Sequence, residues 1–284
     1  MTTASEGMEL TGVGPGTAMG ELMRCYWIPA GLSSELERDG APIRLKLLGE
    51  KLIAFRDSAG RVGVMDHRCP HRCASLFLGR NEERGIRCIY HGWKFDVAGN
   101  CVDMPSVPPH QDFKHKVKAK AYQVVERGGV FWVYMGSRAA APPTPTLEIL
   151  DVPEDELRVM LIQRDCNFLQ AVEGEIDTSH FGFLHAGHVD PEDLAEDDPL
   201  RHTVINRAPQ YHIADTAWGT HTTPATAQPA RASPIGGSPT SCFRSGPKRR
   251  TASLAATCTR AAGCPSTTAT RCSATCGGIA APRR

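Results

Sequence analysis

Two short stretches limit what this chain can fold into more than any other feature. They are Cys69-Pro70-His71 and Cys88-Ile89-Tyr90-His91, with sixteen residues between them. Each offers one thiolate and one imidazole. A 2Fe-2S cluster with two cysteines on one iron and two histidines on the other needs this supply. Neutral imidazoles in place of two thiolates remove negative charge and raise the reduction potential above that of an all-cysteine cluster. A structural zinc site takes the same four donors, but zinc fingers usually pair Cys with Cys and His with His along the chain. Here the two types alternate, so the iron–sulfur reading is preferred. Gly92 allows a close backbone approach, and Trp93 can keep water out. Cys73, His67 and Cys101 lie off the spacing and read as packed or surface residues. The chain has eleven cysteines; without an export signal they are read as reduced.

The surrounding pattern is β. Leu45, Leu47, Leu52, Ala54 and Phe55 surround a Gly49-Glu50-Lys51 turn, and Val62 to Met65 gives another short strand. Trp93, Phe95 and Val97 alternate before Ala98-Gly99-Asn100, and Tyr122 to Glu126 and Val130 to Met135 flank Gly128-Gly129 as a hairpin. Short strands with glycine-rich turns predict a small antiparallel β domain over residues 28–138. Residues 1–27 precede it with one short helix. There Thr17 can cap, and Met19, Leu22, Met23 and Tyr26 recur at helical spacing. Residues 139–146 read as a stiff Ala/Pro linker. Residues 147–217 open a second domain with a strand over 157–165 and a helix over 167–184. The expected class is α+β.

Composition changes near Trp218. Through Asp215 there are 23 basic and 31 acidic residues; after it there are 9 basic and none acidic. Of the 69 residues from Thr216 on, 48 are Ala, Thr, Pro, Ser or Gly. Such a stretch cannot bury enough surface to offset its ordering entropy, so residues 218–284 are expected to be a disordered tail. Composition also points to a shift of reading frame between about Trp218 and Ala232. The codons permitted for 233–247, read one nucleotide back, allow an apolar, strand-like sequence. Over the whole chain 32 Lys and Arg balance 31 Asp and Glu, which gives no charge-based reason to expect nucleic acid or a membrane surface. No apolar run approaches the ~18 residues of a membrane span. Residues 1–16 lack the basic and apolar regions of a signal peptide, so a soluble cytoplasmic protein is expected.

A second constellation lies at Asp177, His180 and His185. On an unbroken helix His185 falls ~140° from His180, so both can meet one ion only if the helix ends or distorts between them. Gly182 is the expected place. Taken alone, this segment reads as two histidines satisfied in a core. The cluster motif upstream turns the reading toward iron.

The run from Cys69 to Glu83, followed by Arg87-Cys-Ile-Tyr-His-Gly-Trp-Lys-Phe-Asp96, resembles the oxygenase component of Rieske non-haem iron ring-hydroxylating oxygenases. Within that family it is most similar to the phthalate 4,5-dioxygenase group, over about residues 14–215. Cys73 departs from an expected glycine. The resemblance implies a Rieske 2Fe-2S cluster on Cys69, His71, Cys88 and His91, and a mononuclear Fe(II) on His180 and His185. It implies that Asp177 bridges a cluster histidine of one subunit to an iron-ligand histidine of its neighbour. Asn167, Gln170 and Glu173 then support the site, and His188 is a surface residue.

The resemblance further implies a helix-grip-like catalytic domain, a trimer-type homo-oligomer and an NAD(P)H-dependent reductase. The substrates would be an aromatic small molecule and O2. The family's third iron ligand is an aspartate far downstream, and this chain has no Asp or Glu after Asp215. The catalytic domain is therefore expected to be incomplete and the chain inactive as given. The alternatives are a Rieske ferredoxin-like electron carrier, a related O-demethylase or monooxygenase, a zinc-binding interaction domain, and a non-functional translation product.

Overall fold

The computed structural model describes residues 4–147, 150, 153, 157–164, 166–177, 179–185, 187–196, 201, 204–206, 208, 210–216, 219–225, 252–259 and 274–276. The chain forms two compact units, residues 1–169 with 245–284, and residues 170–244.

The first unit opens with helices α1 (Ala4–Thr11) and α2 (Ala18–Arg24). Thr17 caps α2 as expected, its hydroxyl accepting from the Gly20 amide at 3.2 Å. The apolar stripe does not face a core, however: Leu22 and Tyr26 are exposed and Arg24 is buried. Arg24 turns inward because partners wait there. Its Nη2 donates to the Leu48 carbonyl at 3.1 Å, and its Nη1 lies 2.7 Å from Glu50 Oε1. That carboxylate also accepts from Lys120 Nζ (2.7 Å) and the Tyr122 hydroxyl (2.5 Å).

Strands β1 (Trp27–Leu32), β2 (Ile43–Leu47), β3 (Glu50–Arg56) and β4 (Val62–Asp66) come next, then the short β5 (Arg80–Glu82), β6 (Gly85–Arg87), β7 (Lys94–Phe95) and β8 (Cys101–Asp103). Strands β9 (Ala121–Arg127) and β10 (Val130–Tyr134) close the set. The order β1-β10-β9-β4-β3-β2 makes one sheet and β5-β6-β7-β8 a second, antiparallel throughout. The β2–β3 turn sits at Leu48 and Gly49, one residue earlier than expected, and Gly128-Gly129 turns β9 into β10. All four residues have positive φ, the backbone twist that suits a two-residue hairpin turn.

Strand β10 lies between β1 and β9, and all five of its residues are buried. One core cluster includes Phe55 and Phe95, both fully buried, with Ile53, Met65, Cys69 and Cys88. Each phenylalanine contributes about 1.5–3 kcal/mol by burial. The Ala/Pro stretch at 139–146 is strapped down: the Trp27 indole donates to the Pro142 carbonyl (2.8 Å) and Arg127 to that of Pro145 (2.9 Å).

Strand β11 (Leu157–Arg164) matches the expected 157–165 strand. The single helix expected over 167–184 is instead two, α3 (Phe168–Ile176) and α4 (Phe181–Leu184). The second unit also holds the hairpin of β12 (Gln210–Thr216) and β13 (Gly219–Ala225). Within the region expected to be structureless, β13, β14 (Ala252–Thr259) and β15 (Ala274–Cys276) are strands, β14 beside β11 and β15 beside β14. Threonine-rich chain suits strands when a partner edge is present. The rest of 218–284, including most of the proposed frame shift, lies outside the described residues.

Candidate metal centre

The two Cys–His loops leave β4 and β6 and fold alike. The Cys73 amide donates to the Cys69 carbonyl at 2.9 Å, and the Gly92 amide to the Cys88 carbonyl at 3.0 Å. In each loop the donor has a left-handed backbone, φ +56° at Cys73 and +75° at Gly92. This is why a glycine suits position 73. At Gly92 a side chain is doubly barred, because a Cβ there would lie 2.6 Å from Pro105 Cγ.

This shared turn points both cysteines inward. Cys69 is 1% and Cys88 2% exposed, and both belong to one buried core cluster. Burial, with Cys88 alongside, pushes the Cys69 thiol up to about 11. A metal must displace that proton to bind the thiolate. The His71 and His91 rings meet edge-on, centroids 4.5 Å apart. Burial and the neighbouring His91 and Arg72 lower the His71 pKa, favouring the neutral, metal-binding imidazole. His91 Nδ1 is buried with no hydrogen-bond partner, a costly state that a metal bond relieves. Two thiols buried in one cluster, two touching imidazoles and an orphaned ring nitrogen fit a two-iron cluster.

Trp93 covers this site. Its indole stacks on His71 at 4.3 Å and 6°, donates to Ser106 Oγ at 3.1 Å, and meets Phe113 edge-on. Tyr90 lies against His91 but is largely exposed. Cys101 is packed, burial pushing its thiol up to about 11, and Cys73 is exposed. His67 is half-buried, and burial lowers its pKa.

In the second unit Asp177 stands between α3 and α4, so the chain breaks there and not at Gly182. Its Oδ1 accepts from the Ser179 amide (2.8 Å) and the Tyr211 hydroxyl (3.3 Å). Its Oδ2 lies 3.3 Å from His180 Nδ1. The Ser179 amide is the chief reason this carboxyl sits below its ordinary pKa. Helix α4 is a single turn with His180 at its start and His185 just past its end, which brings the rings to 5.3 Å. Asn167 Oδ1 accepts from the Leu169 amide, Gln170 donates to Glu173, and His188 is exposed. Among the described residues no three His, Cys, Asp or Glu side chains gather around one ion. The four donors of the first unit come as two pairs.

Residues 26–123 match the family model of the Rieske [2Fe-2S] domain. The chain carries a Rieske domain. It is 56% identical over 220 residues to the 3-chlorobenzoate-3,4-dioxygenase oxygenase subunit of Comamonas testosteroni, covering 78% of this chain and 51% of that protein. It is 40% identical over 226 residues to the phthalate 4,5-dioxygenase oxygenase subunit of Pseudomonas putida, covering 77% and 51%. The solved structure of NdmA from Pseudomonas putida CBB5 has a TM-score of 0.57 at 26% identity, over 72% of this chain and 60% of that one. The chain is thus homologous to the oxygenase subunits of Rieske oxygenases, and spans about half the length of the curated relatives it matches. Among the described residues no helix is long and apolar enough to cross a membrane.

Three residues around these sites carry no motif of their own. Arg87 borders the second Cys–His loop, and its one sequence cue is its place next to Cys88. Ser179 and Tyr211 hold Asp177, and Tyr211 lies too far along the chain for any local pattern to reveal it.

Proposed function

We propose that Cys69, His71, Cys88 and His91 are the protein ligands of a Rieske 2Fe-2S cluster, and that His180 and His185 are ligands of a mononuclear iron. The observation that carries this reading is the pairing of two cysteines buried in one core cluster with two touching imidazoles on matched loops. When bound, the cluster supplies single electrons and the mononuclear iron a place for O2. The chain's own part is to exclude water with Trp93 and to orient the donors. Asp177 Oδ2 lies 3.3 Å from His180 Nδ1 and would orient that ring, and on this reading Asp177 is the carboxylate that would link the two centres.

On this reading the chain derives from the oxygenase component of an aromatic ring-hydroxylating system in the phthalate 4,5-dioxygenase group, cytoplasmic and a trimer-type homo-oligomer. Its electrons come from an NAD(P)H-dependent reductase. The names of the relatives, 3-chlorobenzoate and phthalate, support an aromatic carboxylate as substrate. The layout we propose is a Rieske domain at 28–138, a linker at 139–146 and an incomplete catalytic domain at 147–217. With no Asp or Glu after Asp215 to complete the iron site, the chain as given transfers electrons without oxygenating.

Anaerobically prepared protein tests the metal assignment. Two irons and two acid-labile sulfides per chain, with the rhombic EPR signal of a reduced His-ligated cluster, are expected. Zinc with no visible absorption overturns it.

A further inference from the structure

We infer that Arg87 is a positioning residue for the cluster, acting through the peptide that joins Gly92 to Trp93; the inference rests on the cluster reading above. Arg87 ends β6, immediately before Cys88, and its side chain is 12% exposed. Its Nη1 donates to the Gly92 carbonyl at 2.7 Å and to Asp103 Oδ2 at 2.7 Å, while Nε donates to Glu82 Oε1 at 2.5 Å. One planar guanidinium therefore ties the β5–β6 hairpin, strand β8 and the second ligand loop together.

The carbonyl it holds is well placed to matter. On its N-terminal side stands His91. On its C-terminal side stands Trp93, whose indole stacks on His71 of the other loop and whose carbonyl accepts from the Cys88 amide at 2.8 Å. Fixing this one peptide sets the approach of His91 directly and that of His71 through Trp93. Lysine in place of Arg87 keeps the charge but cannot span three acceptors in one plane. A salt bridge that only stapled the small sheet would need Glu82 and Asp103 and would have no use for the Gly92 carbonyl.

The test uses the full chain with its cluster, in Arg87→Lys, Arg87→Gln and the control Arg80→Gln. Arg80 also pairs with Glu82, at 3.0 Å, but is mostly exposed. Iron release to a chelator and the EPR g values of the reduced cluster are measured. Release about 10–100-fold faster with shifted g values in both Arg87 variants is expected, with Arg80→Gln at wild-type level. Arg87→Lys indistinguishable from wild type overturns the inference, because charge then suffices. A change of equal size in Arg80→Gln overturns it too. If Arg87→Gln loses the fold, Asp103→Asn removes the outer anchor while keeping Arg87. A moved EPR line is expected there, and an unmoved one overturns the inference. A wild-type chain that takes up no iron defeats the cluster reading and this inference together; a normal wild-type cluster with unchanged Arg87 variants defeats this inference alone.

Discussion

Cys73 and Gly92 hold the same place in two matched loops, yet one is a glycine and the other carries a side chain at φ +56°. The left-handed conformation costs an L-residue about 1–2 kcal/mol, and part of that is lost again to the greater freedom of glycine in the unfolded chain. Cys73→Gly should therefore stabilise the first unit by about 1 kcal/mol, read as a higher urea midpoint at unchanged slope. Gly92→Ala should do the reverse and weaken cluster retention, since its new Cβ meets Pro105. Glu50 offers a second case. Burial alone would raise its pKa, but hydrogen bonds from Lys120 and Tyr122 and the charges of Lys120 and Arg24 win and hold it below 4.5. A depressed carboxylate contributes stability in full above its unfolded pKa and loses it as pH falls through the folded one. Glu50→Gln should cost about 3 kcal/mol at neutral pH, because buried Arg24 loses its close counter-charge and keeps only the mostly exposed Glu21, 3.8 Å away. The deficit should shrink below pH 4.5. Denaturant titrations across that range check both halves.

At the scale of elements, the strands were far more legible in the sequence than the helices. Short apolar runs around Gly-rich turns located β2, β3, β4, β9 and β10 within a residue or so, because a strand buried on both faces reads as a continuous apolar run and a tight hairpin must admit positive φ. The stripe on α2 misled because its spacing is helical whichever face is buried, and a buried Arg24 overrides it through partners at positions 48 and 50. The two matched Cys–His loops could be read because each is local. The break at Asp177 could not, since it depends on a carboxylate held partly by Tyr211, 34 residues on. Asp177→Asn should keep the α3–α4 break through the Ser179 amide while weakening the hold on His180. In a form whose iron site is complete, it should leave both metals bound and slow iron reduction by about tenfold or more. Rapid-mixing kinetics of the reduced protein check this, and wild-type rates would take Asp177 off the route.

At the scale of the whole molecule, the four donors of the Cys–His loops and the two sheets that carry them lie between Trp27 and Tyr134. Limited proteolysis beyond residue 225 should accordingly leave the red-brown colour and the iron content of the first unit unchanged. Supplied with a reductase and an aromatic carboxylate, the full chain should take up electrons yet release no hydroxylated product, as product analysis will show. The sheet also dictates an order of events during synthesis. β1 leaves the ribosome first, but its neighbour β10 is the last strand of that sheet, with Trp27 opposite Tyr134. The core around Cys69 and Cys88 closes earlier than that sheet, but until Met104 and Ala119 have emerged the donors from Cys69 to His91 are already outside without the residues that complete it. The newborn chain therefore passes through an interval in which oxidants and stray metals can reach the cysteines, and it ends when the segment carrying Met104 and Ala119 packs down. An error of translation beyond residue 217 arrives only after that interval has closed.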